Sequence, residues 1–365
     1  MKKNKFQDNF IEFSKLPYKE GLFASRAWGH PLHFLLSYPS KLKPSIAHYL
    51  VKLFSDKGDK ILDPFSGSGT IPFEATFQGR IGVGNDINPL AFHTTRAKVN
   101  GISLKKIEKQ VKELENFIEE NKTKSFKVEK EIIAFYHKNT LQEILTAKEF
   151  FLQNKKKDYS FLIASVAHIL HGNRPYALSR RSHNIIPWKP DGPTIYKNLI
   201  EHLQAKIHRM KKVELSKEFV KGKAYQKNTA TLPFENQTID HIMTSPPFIQ
   251  NRDFLRMNRI RLWFCGWDYE YQNKMKIKFL ENISNIDVYS EILKEYHRIL
   301  KPGSNCILHL GIVKNIDMAD ELKIKGKKIG FKFKGIINED STKLESHGIR
   351  DRGATHTHQF LFLKK

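Results

Sequence analysis

Apolar residues recur along this chain in two patterns of spacing. Short apolar runs bounded by turns are typical of buried strands, and longer segments with apolar residues at helical spacing are typical of amphipathic helices. The predicted strands are 60–62, 81–84, 239–243, 306–310 and 360–363. The predicted helices are 45–54, 71–77, one from about residue 89, 105–121 and 288–300. This order of elements predicts a doubly wound, mostly parallel α/β sheet, because parallel strands need helical crossovers.

The alternation of strands and helices stops between about residues 125 and 223. This stretch contains apolar helical runs such as 161–170 and an irregular segment, 174–193, that is rich in Pro and Arg. We therefore divide the chain into three parts. They are an N-terminal segment with the cofactor-binding half of the domain (1–124), a helical and basic insertion (125–223) and the catalytic half (224–365).

A glycine-rich loop, Asp63-Pro64-Phe65-Ser66-Gly67-Ser68-Gly69-Thr70, follows the first predicted strand. Gly67 and Gly69 lack a Cβ, so a ligand could approach the main chain at the edge where open α/β sheets bind ligands. Asp86 ends the second strand, where an acid can accept hydrogen bonds from two ribose hydroxyls, although a dinucleotide fold would use the same acid. Thr70 opens the next helix where a phosphate-binding loop would have Lys-Ser/Thr, which argues against nucleotide hydrolysis.

A second loop, Thr244-Ser245-Pro246-Pro247-Phe248, follows the predicted strand 239–243. The exocyclic amine of a base is a poor nucleophile, because its lone pair is delocalised into the ring. A catalyst must therefore accept hydrogen bonds from the amine and align the nitrogen with the methyl donor. The Ser245 hydroxyl and the Pro246 carbonyl are the candidate acceptors, Pro247 stiffens the loop, and Phe248 can stack on a base taken out of the duplex.

The two loops together resemble the methyl-donor loop and the catalytic loop of the DNA amino-methyltransferases, which modify cytosine N4 or adenine N6. The resemblance implies a class I methyltransferase fold, a Rossmann-like sheet of seven strands, with S-adenosylmethionine as cofactor. It implies that Asp63 receives the methionine amino group and that Phe65 lines the site. The other cofactor-binding residues that it implies are Pro39, Ser40, Pro64, Gly67, Ser68, Gly69, Thr70, Asp86, Ile87 and Asn228.

Ser at the head of the catalytic tetrapeptide is more typical of cytosine-N4 enzymes in this family than of adenine-N6 enzymes. We therefore expect a site-specific cytosine-N4 methyltransferase of the restriction–modification type, with adenine N6 as the alternative. Phe248 stands where Tyr is commoner, and Asn228 stands where an acid often approaches the cofactor adenine. An RNA base methyltransferase and a non-catalytic DNA-binding protein are further alternatives, and the second would not explain the catalytic loop.

The chain is strongly basic, with a formal net charge of +24 over 365 residues. Such a charge attracts polyanions, so we expect double-stranded DNA as partner, with a cognate restriction endonuclease as a possible second one. Arginine can grip phosphate or read guanine, and Asn can read adenine. Two segments have this chemistry, and the candidate DNA-binding residues in them are Arg174, Arg180, Arg181, His183 and Asn184 in the insertion and Asn251, Arg252 and Arg256 after the catalytic loop.

The cysteines and histidine pairs of the chain give no sign of further catalytic or metal-binding chemistry. Cys265 and Cys306 form no CxxC pair and lack the context of a cysteine nucleophile, so we expect no disulfide framework, no zinc cage and no cytosine-C5 chemistry. The pairs His168/His171 and His356/His358 lack supporting acids or cysteines, so no metal is expected. The basic N-terminus is not followed by an apolar core, and no run is long enough to span a bilayer, so we expect a cytoplasmic protein without a membrane partner.

Overall fold

A twisted sheet with helices on both faces forms the framework of the protein. The computed structural model describes residues 5–25, 27–101, 103–183, 186–210, 214–249, 253–283, 285–313, 316–340 and 355–365. The strands in these residues are β1 (Lys60–Asp63), β2 (Ile81–Asn85), β3 (Lys223–Tyr225), β4 (His241–Thr244), β5 (Asn305–Val313), β6 (Ile316–Asp317), β7 (Lys332–Asp340) and β8 (Thr355–Lys364).

The helices follow the amphipathic segments of the sequence. They are α1 (Lys5–Ser14), α2 (Pro44–Phe54), α3 (Thr70–Phe77), α4 (Pro89–Val99), α5 (Leu104–Glu120), α6 (Lys130–Ile133), α7 (Lys138–Gln153), α8 (Ser160–Ile169), α9 (Leu199–His208), α10 (Phe254–Phe264), α11 (Tyr269–Met275), α12 (Val288–Ile299) and α13 (Met318–Ile329). Short 3₁₀ turns lie at Pro17–Lys19, Gly21–Ala24, Pro31–Phe34, Lys276–Lys278 and Leu280–Asn282.

The strand order of the sheet is β3-β2-β1-β4-β5-β8-β7, with the short β6 paired to β5. The first five strands of this order are parallel, and β8 is antiparallel to both β5 and β7. A parallel half closed by an antiparallel hairpin, with the first strand in the middle, is the topology of class I methyltransferases. The predicted fold class is therefore confirmed.

Two layers of helices, one on each face, hold this sheet in place. Helices α1 and α2 cover one face, where Phe13, Leu50 and Phe362 belong to one buried cluster. Helices α12 and α13 cover the other face beside Leu308 and Leu361. Helical side chains bury themselves against the sheet because the apolar stripe of each helix has no other partner.

A separate helical layer connects β2 to β3. Helix α5 lies within the first part predicted from the sequence, but Leu114 packs in one buried cluster with Ile144 of α7, Leu162 of α8 and Leu203 of α9. Helix α8 also lies against α4, which joins this layer to the sheet. Within the part of the chain that the structure describes, no helix is both long and apolar enough to cross a membrane.

Candidate active site

The two sequence motifs lie side by side at the carboxyl edge of the sheet. Strands β1 and β4 are parallel neighbours, so the loops that follow them begin at the same edge. The Asp63 carboxylate accepts a hydrogen bond from Thr244 Oγ1 at 2.6 Å and from the Phe65 main-chain nitrogen at 3.2 Å. A buried hydrogen bond thus joins the glycine loop to the catalytic loop.

The glycine loop needs its glycines for conformation as well as for space. Gly67 and Gly69 have φ angles of 47° and 71°, in the left-handed region that side chains disfavour. A Cβ on Gly69 would lie 2.7 Å from Thr95 Oγ1 and 2.8 Å from its Cα, and one on Gly67 would lie 3.2 Å from the Tyr38 ring. The loop is therefore a cradle in which bare main chain faces the ring of Tyr38.

Asp86 completes this cradle from the end of β2. Its carboxylate accepts hydrogen bonds from the Gly67 nitrogen at 3.0 Å and from the Asn88 side-chain amide at 2.7 Å. Burial raises the pKa of Asp86 to about 6. Burial also raises the pKa of Asp63 to about 7, with a smaller contribution from the nearby Asp86 carboxylate. These two acids share one edge of the sheet, as the sequence predicted.

Side chains that sequence reasoning did not identify hold the glycine loop in place. The Asn85 side chain bridges the Pro64 carbonyl and the main chain of Lys227, which lies just after β3. Thr229 Oγ1 donates to the same Pro64 carbonyl at 2.8 Å. The buried Lys98 ammonium donates to the Ser68 carbonyl, and burial holds the pKa of Lys98 well below its usual range.

The remaining cofactor-binding residues predicted from the sequence lie around the same edge. Pro39 is half-buried and Ser40 is exposed, directly after Tyr38. Ile87 is half-buried and its carbonyl accepts from Gln226. Asn228 is exposed, and its side-chain oxygen accepts from the Ala230 nitrogen at 3.0 Å. Ser68 and Thr70 are buried and share a hydrogen bond between their hydroxyls.

The catalytic loop is fixed from two sides. Ser245 Oγ lies 3.0 Å from Nδ1 of His309 on β5. The Tyr289 hydroxyl, on α12, donates to the Pro247 carbonyl at 2.5 Å. Phe248 is half-buried, with its ring centroid 6.3 Å from that of His309. Sequence reasoning missed His309 and Tyr289, and the only signal for His309 was a histidine in an otherwise apolar strand.

A cluster of titratable side chains lies behind Ser245. One nitrogen of His309, one of His358 and a carboxylate oxygen of Glu339 lie within 4.8 Å of one another. The Lys19 ammonium lies 3.3 Å from Glu339 Oε1 and supplies a counter-charge. The sequence had paired His358 with His356, whose side chain lies outside the described residues, so the partners of His358 come from other strands.

The basic segment of the insertion is partly engaged within the protein. Arg181 forms a two-pronged ion pair with Asp191 at 2.9 and 3.0 Å. The Arg180 guanidinium donates to the carbonyls of Gly192 and Ala134. Both arginines therefore have a structural contact that would have to be shared with any nucleic acid.

Other residues of this segment face outward. Arg174 and His183 are exposed. The exposed Arg256, at the start of α10, stacks over the Trp188 ring at 4.8 Å, so the segment after the catalytic loop touches the insertion. The two segments predicted to bind DNA are thus in contact at this pair of residues. Three predicted residues lie outside the described residues: Asn184, Asn251 and Arg252.

Comparison with known protein families agrees with this geometry. Residues 35–186 match the model of the UPF0020 family, described as an RMKL-like methyltransferase domain. The matched range contains the glycine loop and Asp86. The strand order and the position of the glycine loop agree with this match and with the class I methyltransferase fold.

Among known proteins, the chain is similar to type II methyltransferases. It is 24% identical to M.MvaI of Kocuria varians over 278 residues, which cover 67% of this chain and 60% of that protein. It is 22% identical to M.BsoBI of Geobacillus stearothermophilus, with 73% of this chain and 59% of that protein covered. The chain thus spans about 60% of the length of these two relatives. A solved S-adenosylmethionine-dependent methyltransferase from Methanosarcina mazei aligns at 12% identity with a TM-score of 0.36, over 87% of this chain and 96% of that one.

Proposed function

We propose that this protein is a site-specific DNA methyltransferase that transfers a methyl group from S-adenosylmethionine to the exocyclic N4 amine of cytosine. The observation that carries the proposal is the placement of Ser245 at the carboxyl edge of β4, directly after Thr244, which donates a hydrogen bond to Asp63 at the start of the glycine loop. The proposal includes a restriction–modification setting with a cognate endonuclease. The type II methyltransferases among its relatives support DNA as the substrate.

The residues present fit the cofactor. Asp63, Asp86 and the main chain of the glycine loop would hold it, because Gly67 faces the Tyr38 ring without a side chain and both acids lie at the same edge of the sheet. When bound, the cofactor supplies an electrophilic methyl group on a sulfonium. The role of the protein is then to exclude water, to hold the amine nitrogen near that carbon and to accept its hydrogen bonds.

The catalytic loop offers the groups that an amine needs. Ser245 Oγ and the Pro246 carbonyl accept from the two amine hydrogens, which returns electron density to the nitrogen. Phe248 provides a face on which a flipped base can stack. The Tyr289 hydrogen bond to the Pro247 carbonyl holds the loop rigid, so the acceptors keep their positions when no base is bound.

A ring carbon is a poorer candidate for the acceptor atom. Methylation at cytosine C5 needs a cysteine thiolate. Burial raises the pKa of Cys265 to about 12 and raises the pKa of Cys306 above its usual range, so both thiols stay protonated. Cys306 is buried inside β5. An amine acceptor therefore fits the site better than a ring carbon does.

The test is to methylate DNA with the purified protein and to identify the modified nucleoside by mass spectrometry. We expect N4-methylcytosine. N6-methyladenine would replace the cytosine proposal by the adenine alternative, and methyl transfer to RNA alone would reject DNA as the substrate. Ser245→Ala should lower the rate of transfer by about 10²-fold, the usual cost of removing one positioned group at a reacting centre.

The matched control is Ser290→Ala, since Ser290 is half-exposed on α12 and lies outside the catalytic loop. The control should keep the wild-type rate. Wild-type transfer by Ser245→Ala would reject the assigned role of the loop.

A further inference from the structure

A row of polar side chains crosses the sheet from the catalytic loop into the protein. It starts at Ser245 after β4 and continues through His309 on β5 and His358 on β8 to Glu339 on β7. The ring centroids of His309 and His358 are 5.0 Å apart. The row thus begins at the atom that would contact the substrate amine.

The strand register explains why these side chains meet. Glu339 lies directly opposite His358, and His309 lies opposite Phe360, two residues further along β8. Residues two apart on a strand share a face, so all of them lie on one side of the sheet. They are brought together by pairing between strands that are far apart in sequence.

The hydrogen bond between Ser245 and His309 can run in two directions. If the hydroxyl donates to an unprotonated Nδ1, both lone pairs of Ser245 Oγ remain free for the substrate amine. If Nδ1 carries the hydrogen, it donates to Ser245 Oγ and occupies one of the two lone pairs of that oxygen. The direction therefore decides how well Ser245 accepts.

The surroundings of His309 favour the first direction. Burial holds the pKa of His309 well below its usual range, with a smaller contribution from His358, so the ring is neutral and carries one hydrogen. The nearby carboxylate of Glu339 favours a hydrogen on the ring nitrogen that faces the cluster. Nδ1 is the nitrogen that lies 3.0 Å from Ser245 Oγ, so Nε2 is the ring nitrogen that remains to carry this hydrogen.

We propose that His309 is a positioning residue that accepts the Ser245 hydroxyl hydrogen at Nδ1, and that it thereby aims the oxygen lone pairs at the substrate amine. This inference rests on the proposed function, since it assigns Ser245 as the acceptor. Ligand atoms of His358 and Glu339 lie within 4.8 Å of one His309 nitrogen and provide the polar surroundings of the ring.

Kinetics of His309 variants test the positioning role. His309→Ala should lower kcat by about 10- to 100-fold and leave the KM values for cofactor and DNA within about twofold, because His309 would act on the substrate only through Ser245. His309→Asn should recover part of the loss, since its amide oxygen can take the place of Nδ1. The control is His241→Asn, because His241 also accepts at Nδ1, from the Asn305 nitrogen at 3.1 Å, but at the opposite edge of the sheet.

Three results in that series would overturn the proposal. One is an unchanged kcat in His309→Ala, and another is equal activity in the Ala and Asn variants. The third is a wild-type enzyme that chelator inactivates and Zn²⁺ restores, which would assign His309, Glu339 and His358 to a metal site instead.

A measurement without turnover separates this inference from the proposed function. In the ¹⁵N spectrum of histidine-labelled protein, His309 should appear as the neutral tautomer with hydrogen on Nε2, and Ser245→Ala should shift its Nδ1 signal. A hydrogen on Nδ1, or no change in Ser245→Ala, rejects the inference whatever the substrate is. The expected spectrum without methyl transfer to any nucleic acid would reject only the proposed function.

Discussion

At the scale of single residues, the site depends on two acids whose surroundings oppose ionisation. Burial raises the pKa of Asp63 to about 7 and of Asp86 to about 6, and the Asp86 carboxylate adds to the cost of ionising Asp63. Each acid nevertheless accepts hydrogen bonds from main-chain or side-chain donors, and these hydrogen bonds stabilise the ionised carboxylate. A ligand that donates further hydrogen bonds to the two carboxylates would stabilise their ionised forms and lower their pKa values.

This arrangement predicts opposite pH effects on stability and on cofactor binding. A folded-state pKa above the unfolded value means that protonation favours the folded protein, so this contribution is present at low pH and is lost as pH rises through about 6 to 7. The melting temperature of the cofactor-free protein should therefore rise as pH falls from about 8 to about 6. The affinity for S-adenosylmethionine should fall over the same range, because its donors need the carboxylates ionised.

Calorimetric titration and thermal melts over this pH range measure both effects. Asp86→Asn should weaken cofactor binding by about 10- to 100-fold, the cost of losing hydrogen bonds to a charged group, and should flatten the pH dependence. Cofactor affinity that stays constant between about pH 8 and about pH 6 would contradict the assignment of these acids.

At the scale of elements, the junction between β1 and α3 is the least tolerant part of the site. Gly69 precedes α3 with a φ of 71°, and Thr95 of α4 lies where its side chain would be. The loop can thus approach a ligand only because α4 packs directly against it. The packing of α4 and the shape of the ligand cradle therefore depend on the same glycine.

Gly69→Ala should therefore destabilise the protein by about 2 to 4 kcal/mol, since it combines left-handed strain with a clash against packed structure. The matched control is Gly192→Ala, with a φ of 76° and nothing within 4 Å of its added Cβ, which should cost only about 1 kcal/mol of strain. Denaturant unfolding of both variants measures the difference. Equal losses would show that Thr95 is not in contact with the loop.

At the scale of the whole molecule, the net charge of +24 favours binding to a polyanion. The exposed Arg256 lies at the start of α10, the helix that follows the catalytic loop along the chain, and stacks over Trp188, whereas Arg180 and Arg181 have partners within the protein. Binding to a phosphate backbone releases counterions, so affinity should fall steeply with salt.

Arg256→Ala should weaken DNA binding and lower the salt slope, log Kd against log salt concentration, by about 1. The control is Lys112→Ala, because Lys112 is an exposed cation on α5 paired with Glu115 at 2.9 Å. Fluorescence anisotropy at several salt concentrations measures both variants. If the two variants lose affinity equally, general charge rather than this surface accounts for binding.

Much of the framework was predictable because its signals are local. A strand, a glycine loop and a helix lie within residues 60–77, and their apolar spacing and turn residues determine them without distant contacts. The Ser-Pro-Pro-Phe loop is likewise a contiguous pattern. Asp86 could be singled out because it ends a predicted strand, and Asp63 because it opens a loop that resembles a methyl-donor loop.

The contacts that complete the site were not predictable in this way. Ser245 and His309 are 64 residues apart in the chain, and Thr244 and Asp63 are 181 apart. His309 stood in an apolar run that looked like core, and the basic loop gave no sign that two of its arginines have internal partners. Such contacts depend on the order of strands in the sheet.

The sequence by itself determined which backbone elements form and which chemical groups end them, because hydrophobic spacing, glycine and proline act over a few residues. Tertiary structure alone decided which groups meet: the acid that joins the two loops, the histidine behind Ser245 and the aromatic under Arg256. The physical reason is that strand pairing and helix packing bring together residues whose separation along the chain carries no local signal.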